Sequence, residues 1–126
     1  MSYSDRHIWT STLQTLEAAS DLETYFAATK PVRLHRLAML VIGTATGGAS
    51  VLFEERTATN TDTSIETVVI PIGASRIGNE YWTDLDTTTS GGYLLAAGSR
   101  INLAITEAAT APTAFAIIEY SFENIA

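Results

Sequence analysis

The sequence predicts an all-β domain, an antiparallel β-sandwich, and three observations carry that prediction. Thr, Val, Ile and Ala dominate while long charged helix formers are scarce, and branched side chains stiff at χ1 suit a pleated surface. Short apolar runs alternate with polar positions at period two. Gly- and Thr-rich clusters separate these runs at fairly even intervals, as in sandwiches and barrels.

Residues 1–12 read as an N-terminal arm and 13–126 as a single β-sandwich domain. The arm carries Tyr3, Arg6 and the apolar pair Ile8 and Trp9. An apolar pair in an arm docks either on its own domain or on a neighbour. Between Leu13 and Phe26 the pattern admits one or two helical turns or short strands around Ser20-Asp21, and the β character of the rest favours strands.

Val32 to Thr44 is the strongest strand, opened by Pro31, which biases Lys30 towards extended backbone. Strict alternation puts Arg33 and His35 on one face and Leu34, Ala38, Leu40 and Ile42 on the other. From Leu37 the run is apolar on both faces, the mark of a central strand covered on both sides. The Gly-Gly turn Thr46-Gly47-Gly48 then returns the chain as Ala49 to Arg56, a hairpin partner for the preceding strand.

Thr57 to Thr63 is a polar loop. Ile65 to Ile72 is the next strand, ended or bent near Pro71. Tyr81-Trp82 opens a short aromatic segment before a second polar loop, Asp84 to Gly92. Ile101, Leu103 and Ile105 alternate cleanly with Asn102, Ala104 and Thr106. Ala114 to Phe122 follows, and the two runs read as an antiparallel pair at the heart of the sheet.

Chemistry is harder to find. The formal charge is −7, and the seven basic residues are scattered rather than striped, so the expected partners include neither nucleic acid nor an anionic membrane. There are no cysteines, hence no disulfides or thiolate metal sites. No signal peptide shows at the start, and the longest apolar stretch, Leu37 to Ile42, is far short of a membrane span, so synthesis in a cytoplasm is expected.

His7 and His35 are the only histidines; His35, between Arg33 and Arg36, reads as an ordinary histidine on a partly exposed face. Asp84 and Asp86 have the spacing of calcium-loop ligands, but no bidentate glutamate follows at the right distance. Glu54 and Glu55 are adjacent on a strand, point to opposite faces and cannot converge as an acid–base pair. Gly47-Gly48 and Gly91-Gly92 lack the Lys-Ser/Thr of a phosphate loop and read as turns. No catalytic machinery, cofactor or metal is expected. Tyr81 and Trp82 are candidates for stacking on a sugar ring, although core packing of at least one is the plainer reading.

Three C-terminal stretches carry a family resemblance: Leu94-Leu95-Ala96-Ala97-Gly98-Ser99, Ile101-Asn102-Leu103-Ala104-Ile105-Thr106, and Thr113-Ala114-Phe115-Ala116-Ile117-Ile118-Glu119-Tyr120. Together they resemble the closing strands of jelly-roll domains in tailed-phage virion proteins, and the strand pair that ends trimeric tumour necrosis factor-like folds. The resemblance covers about a quarter of the chain and contains no site motif. It implies a capsid decoration, or cement, protein: a homotrimer on the outer surface of an icosahedral phage shell. Such a protein binds between capsomers of the major capsid protein, often through an N-terminal arm. Tyr3, Arg6, Ile8 and Trp9 are then the expected shell contacts. The alternative is a receptor- or glycan-binding head or fibre module that uses the Tyr81-Trp82 loop.

Overall fold

A computed structural model describes residues 6–17, 21–43, 48–71, 78–88, 91–108 and 112–123. The chain is an all-β sandwich of two antiparallel sheets. The strands are β1 (His7–Thr10), β2 (Gln14–Thr15), β3 (Asp21–Ala27), β4 (Val32–Val41), β5 (Ala49–Arg56), β6 (Asp62–Ile70), β7 (Glu80–Asp84), β8 (Tyr93–Leu95), β9 (Arg100–Ala108) and β10 (Thr113–Phe122). A four-residue helix, α1 (Leu85–Thr88), sits in the second polar loop. The first sheet runs β1-β10-β4-β7, with β2 also on β10 and β8 also on β4; the second runs β3-β9-β5-β6.

This order corrects two pairings expected from the sequence. β5 is not the hairpin partner of β4 but pairs with β6 and β9 in the opposite sheet. β9 and β10 are likewise not neighbours; each is a central strand of its own sheet. Both errors have one cause. Period-two alternation tells a strand which face to bury, but it is silent on whether the chain turns back in one layer or crosses to the other. The turn at Thr46-Gly47, on which the hairpin rested, lies outside the described residues, as does Tyr3.

The layers meet over Leu34, Leu37, Met39, Val51, Phe53, Ile101, Leu103, Ile105, Ala116 and Ile118, all buried. Val68 and Ile70 are buried while Val69 is exposed, and β6 stops before Pro71; Ile65, skipped by the ladder between Ser64 and Glu66, packs against the same core. The β6 pairing starts earlier than expected, at Asp62 opposite Arg56, within what reads as loop. Among the described residues between Leu13 and Phe26 the regular structure is strand, β2 and β3, and Trp9 packs edge-on against Phe26, with ring centroids 5.2 Å apart. Trp9 therefore docks on its own domain.

The alternation read along β4 does not hold. Glu119 of β10 pairs with Arg36, but the next residue, Tyr120, pairs with Leu34, so His35 is skipped. That extra residue is a β-bulge, which turns two consecutive side chains to the same side. Before the bulge Val32 and Leu34 face the core; after it Leu37, Met39 and Val41 do, and Ala38, Leu40 and Ile42 face away. His35 is also buried rather than partly exposed.

Candidate functional site

The outward face of the first sheet is the site. Its residues follow from the registers: Thr10 lies opposite Ile117, Ile117 opposite Ala38, and Ala38 opposite Trp82, an unbroken row across four strands. One row along, Phe115 lies opposite Leu40 and Leu40 opposite Glu80. Ile42 and Ile8 extend the apolar surface at opposite ends. Ile8 is 58% exposed, Ile42 39% and Trp82 37%, whereas Ala38 and Ile117 are buried although neither belongs to the interlayer core. Apolar side chains this close together on a solvent face mark a surface made to be covered.

A polar cluster closes one end of this face. Glu119, largely buried, accepts from Arg6 at 2.8 Å and from Arg36 at 2.6 Å. The Arg36 guanidinium also lies over the Trp82 ring, 4.3 Å from its centroid. Arg6 reaches on to Asp86 Oδ2 at 3.0 Å, so it ties β1 to both β10 and α1. The hydrogen bonds from Arg36 and Arg6 hold the Glu119 carboxyl below its ordinary range, against the opposing effect of burial.

Beside it stands a second group. Asp86 Oδ1 is 2.8 Å from His35 Nδ1, and His35 Nε2 is 2.7 Å from Ser121 Oγ. Burial alone would raise the Asp86 pKa, but the bonds from His35 and Arg6 prevail and lower it. α1 positions Asp86: Asp84 Oδ1 accepts the Asp86 amide at 2.9 Å, an Asx turn at the start of the helix. Gly92 makes the close approach possible. Its φ is +94°, and a Cβ there would lie 2.5 Å from the Leu34 carbonyl oxygen and 3.2 Å from Asp86 Oδ1. Gly91-Gly92 is a turn, as read, but also a packing requirement of this cluster. Arg33, opposite Ser121 on the ladder, is clamped by Glu123 at 3.0 Å.

Of the residues singled out from the sequence, the structure brings Arg6, Ile8 and Trp82 to this face and turns Trp9 and Tyr81 towards the core. Glu54 and Glu55 do diverge: Glu54 accepts from Asn102 at 3.1 Å, and Glu55 accepts from the Tyr93 hydroxyl and the Ala96 amide. Burial, with Glu55 beside it, pushes the Tyr93 pKa well up. The sequence reading missed Arg36, Asp86, Ile117, Glu119 and Ser121 as members of one site. Its one available signal was the apolar character of both faces of β4 and β10. Among the described residues no group of three carboxylate or imidazole side chains is placed to hold a metal.

No protein-family model and no curated protein matches the chain. Solved structures do resemble it. A Bacillus endospore appendage protein, from a family described as disulfide-linked pili, is 16% identical over 98% of this chain and 93% of its own, with a TM-score of 0.48. The SPBc2 prophage-derived protein YomS is 12% identical over 94% of this chain and 96% of its own, with a TM-score of 0.45. The Clostridium thermocellum xylanase 10B CBM22-1–GH10 modules are 13% identical over 95% of this chain and 25% of theirs, with a TM-score of 0.44. At these identities and scores the likeness assigns no activity.

Proposed function

We propose that this chain is a structural virion protein, which decorates and stabilises an icosahedral phage capsid as a homotrimer seated between capsomers. One observation carries the reading: the outward face of the first sheet gathers Ile42, Leu40, Phe115, Ile117, Ala38 and Trp82, with Ile8 beyond them, while the other outward face is mainly polar. A domain of this size gains by burying such a face against identical neighbours. Many copies on a repeating lattice then hold by avidity rather than by any single strong contact. The resemblance of the C-terminal strands to phage virion jelly rolls supports the same reading. In this scheme the apolar row packs between copies, and the Arg6–Ile8 end, with the residues before it, faces the shell.

The glycan-binding alternative has less support. Tyr81 packs inward, and Arg36 occupies one face of the Trp82 ring, so the pair forms no open stacking platform.

The test is light scattering on a size-exclusion column over a dilution series, followed by co-sedimentation with empty capsids. A stable particle of three times the 13.5 kDa chain mass that pellets with shells is the expected result. A monomer at every concentration that stays in the supernatant overturns it.

A further inference from the structure

The group beside the apolar face has the connectivity of an activated serine. The three side chains come from α1, the bulge of β4 and the end of β10, and the two contacts of 2.8 and 2.7 Å run in series from carboxylate to imidazole to hydroxyl. The roles follow from the chemistry. An ionised Asp86 accepts the Nδ1 proton and fixes the tautomer, leaving the Nε2 lone pair directed at the Ser121 hydroxyl. The second Asp86 oxygen is bound by Arg6, which keeps the carboxylate in place. A β-bulge and a glycine with positive φ combine to seat His35 between Asp86 and Ser121. Ser121 faces the outward side of the sheet and retains 6% exposure, so only small reagents reach it.

We propose that Ser121 is a nucleophile activated by His35, with Asp86 as the positioning residue, and that it accepts acyl groups from small carboxylic esters. The Ser121 oxygen bonds to the acyl carbon as its proton passes to His35 Nε2. The ester C–O bond then breaks, and the leaving alkoxide takes that proton. Water, deprotonated by the same nitrogen, releases the acid and restores the serine. Arg33 lies across the ladder from Ser121, with its guanidinium held by the Glu123 carboxylate and the Gly92 carbonyl. This proposal does not rest on the capsid reading.

The experiment treats the folded full chain with a fluorophosphonate, which serine oxygen attacks at phosphorus with loss of fluoride, and follows intact mass and peptide maps. The expected result is one adduct per chain, on Ser121. Ser121→Ala abolishes it, and His35→Gln slows it by about 100-fold or more. Hydrolysis of p-nitrophenyl acetate falls in parallel. If the three groups serve only to fasten α1 to the sheet, the substitutions change the melting temperature and nothing else. Labelling no faster in folded than in urea-unfolded protein overturns the proposal without any variant having to fold. So does an unchanged rate in a folded His35→Gln protein.

Discussion

The two outward faces of this sandwich are built from strands of similar length and alternate in the same way, yet they are chemically opposite. The face of the second sheet is a net of ions: Arg56 binds Asp62 at 2.7 Å and Asp21 at 2.8 Å, and Arg100 binds Glu23 at 2.7 Å. Asn102, fully buried, donates to both Asp21 and Glu54. Val69 is the large apolar side chain well exposed there. On the first sheet the ion pairs are gathered at one end, beside Ile8, and away from them Ile42, Leu40, Phe115 and Trp82 share the face with Thr10 and Glu80. The lesson is that ion pairs dominate one face and apolar side chains the other, and that even the ion-paired face leaves the buried Asn102 Oδ1 without a partner among the described residues. Fold stability alone accounts for the second face and does not account for the first.

The sharpest way to break this contrast is to remove the anion that gathers the charges. Glu119→Ala takes the carboxylate from Arg36 and leaves Arg6 with Asp86 alone, and we expect a loss of about 2 kcal/mol in urea unfolding. The same carboxylate sets an acid limit. The folded pKa values of Glu119 and Asp86 lie below their unfolded ones, so their contribution is complete above the ordinary carboxylate range and is lost as pH falls through the depressed values. The urea midpoint should therefore drop below about pH 4, and Glu119→Gln should flatten that slope.

Next in size is Gly92→Ala, which meets both a positive φ and the Leu34 carbonyl. A cost of about 1–3 kcal/mol is expected, with the His35 ring resonances shifting as Asp86 is displaced. The smallest effects on stability come from the faces themselves. Trp82→Glu and Val69→Lys should each change the unfolding free energy by about 0.5 kcal/mol or less. Only the former should lower the particle mass in light scattering. Equal effects on mass would erase the distinction between the faces.

How far the sequence foretold this can be traced residue by residue. Strand identity was legible wherever alternation was strict, as in Ile101-Leu103-Ile105 or Val68-Ile70. The partition between sheets was not, because crossing from β4 to β5 leaves no trace in a period-two pattern. Nor was the bulge: His35 sits in an unbroken run of strand formers, and only its partner register on β10 reveals the extra residue. That single slip moved Leu37, Met39 and Val41 into the core and put Ala38 and Leu40 outside. The apolar character of both faces was visible from Leu37 onwards, but the sequence alone implied that both were already covered. His35, Asp86 and Ser121 stand 51 and 86 residues apart along the chain, and no local motif joins them.

The manner in which the first sheet ends along its two sides has a consequence of its own. The free side of β10 is shared by two short strands, β1 over Ile117 to Tyr120 and β2 over Thr113 and Ala114. The free side of β4 is likewise divided between β7 and β8, with α1 inserted between them. Neither border offers a long straight row of unpaired amides and carbonyls, so a foreign strand finds little to extend. Sideways growth into fibrils is thereby discouraged.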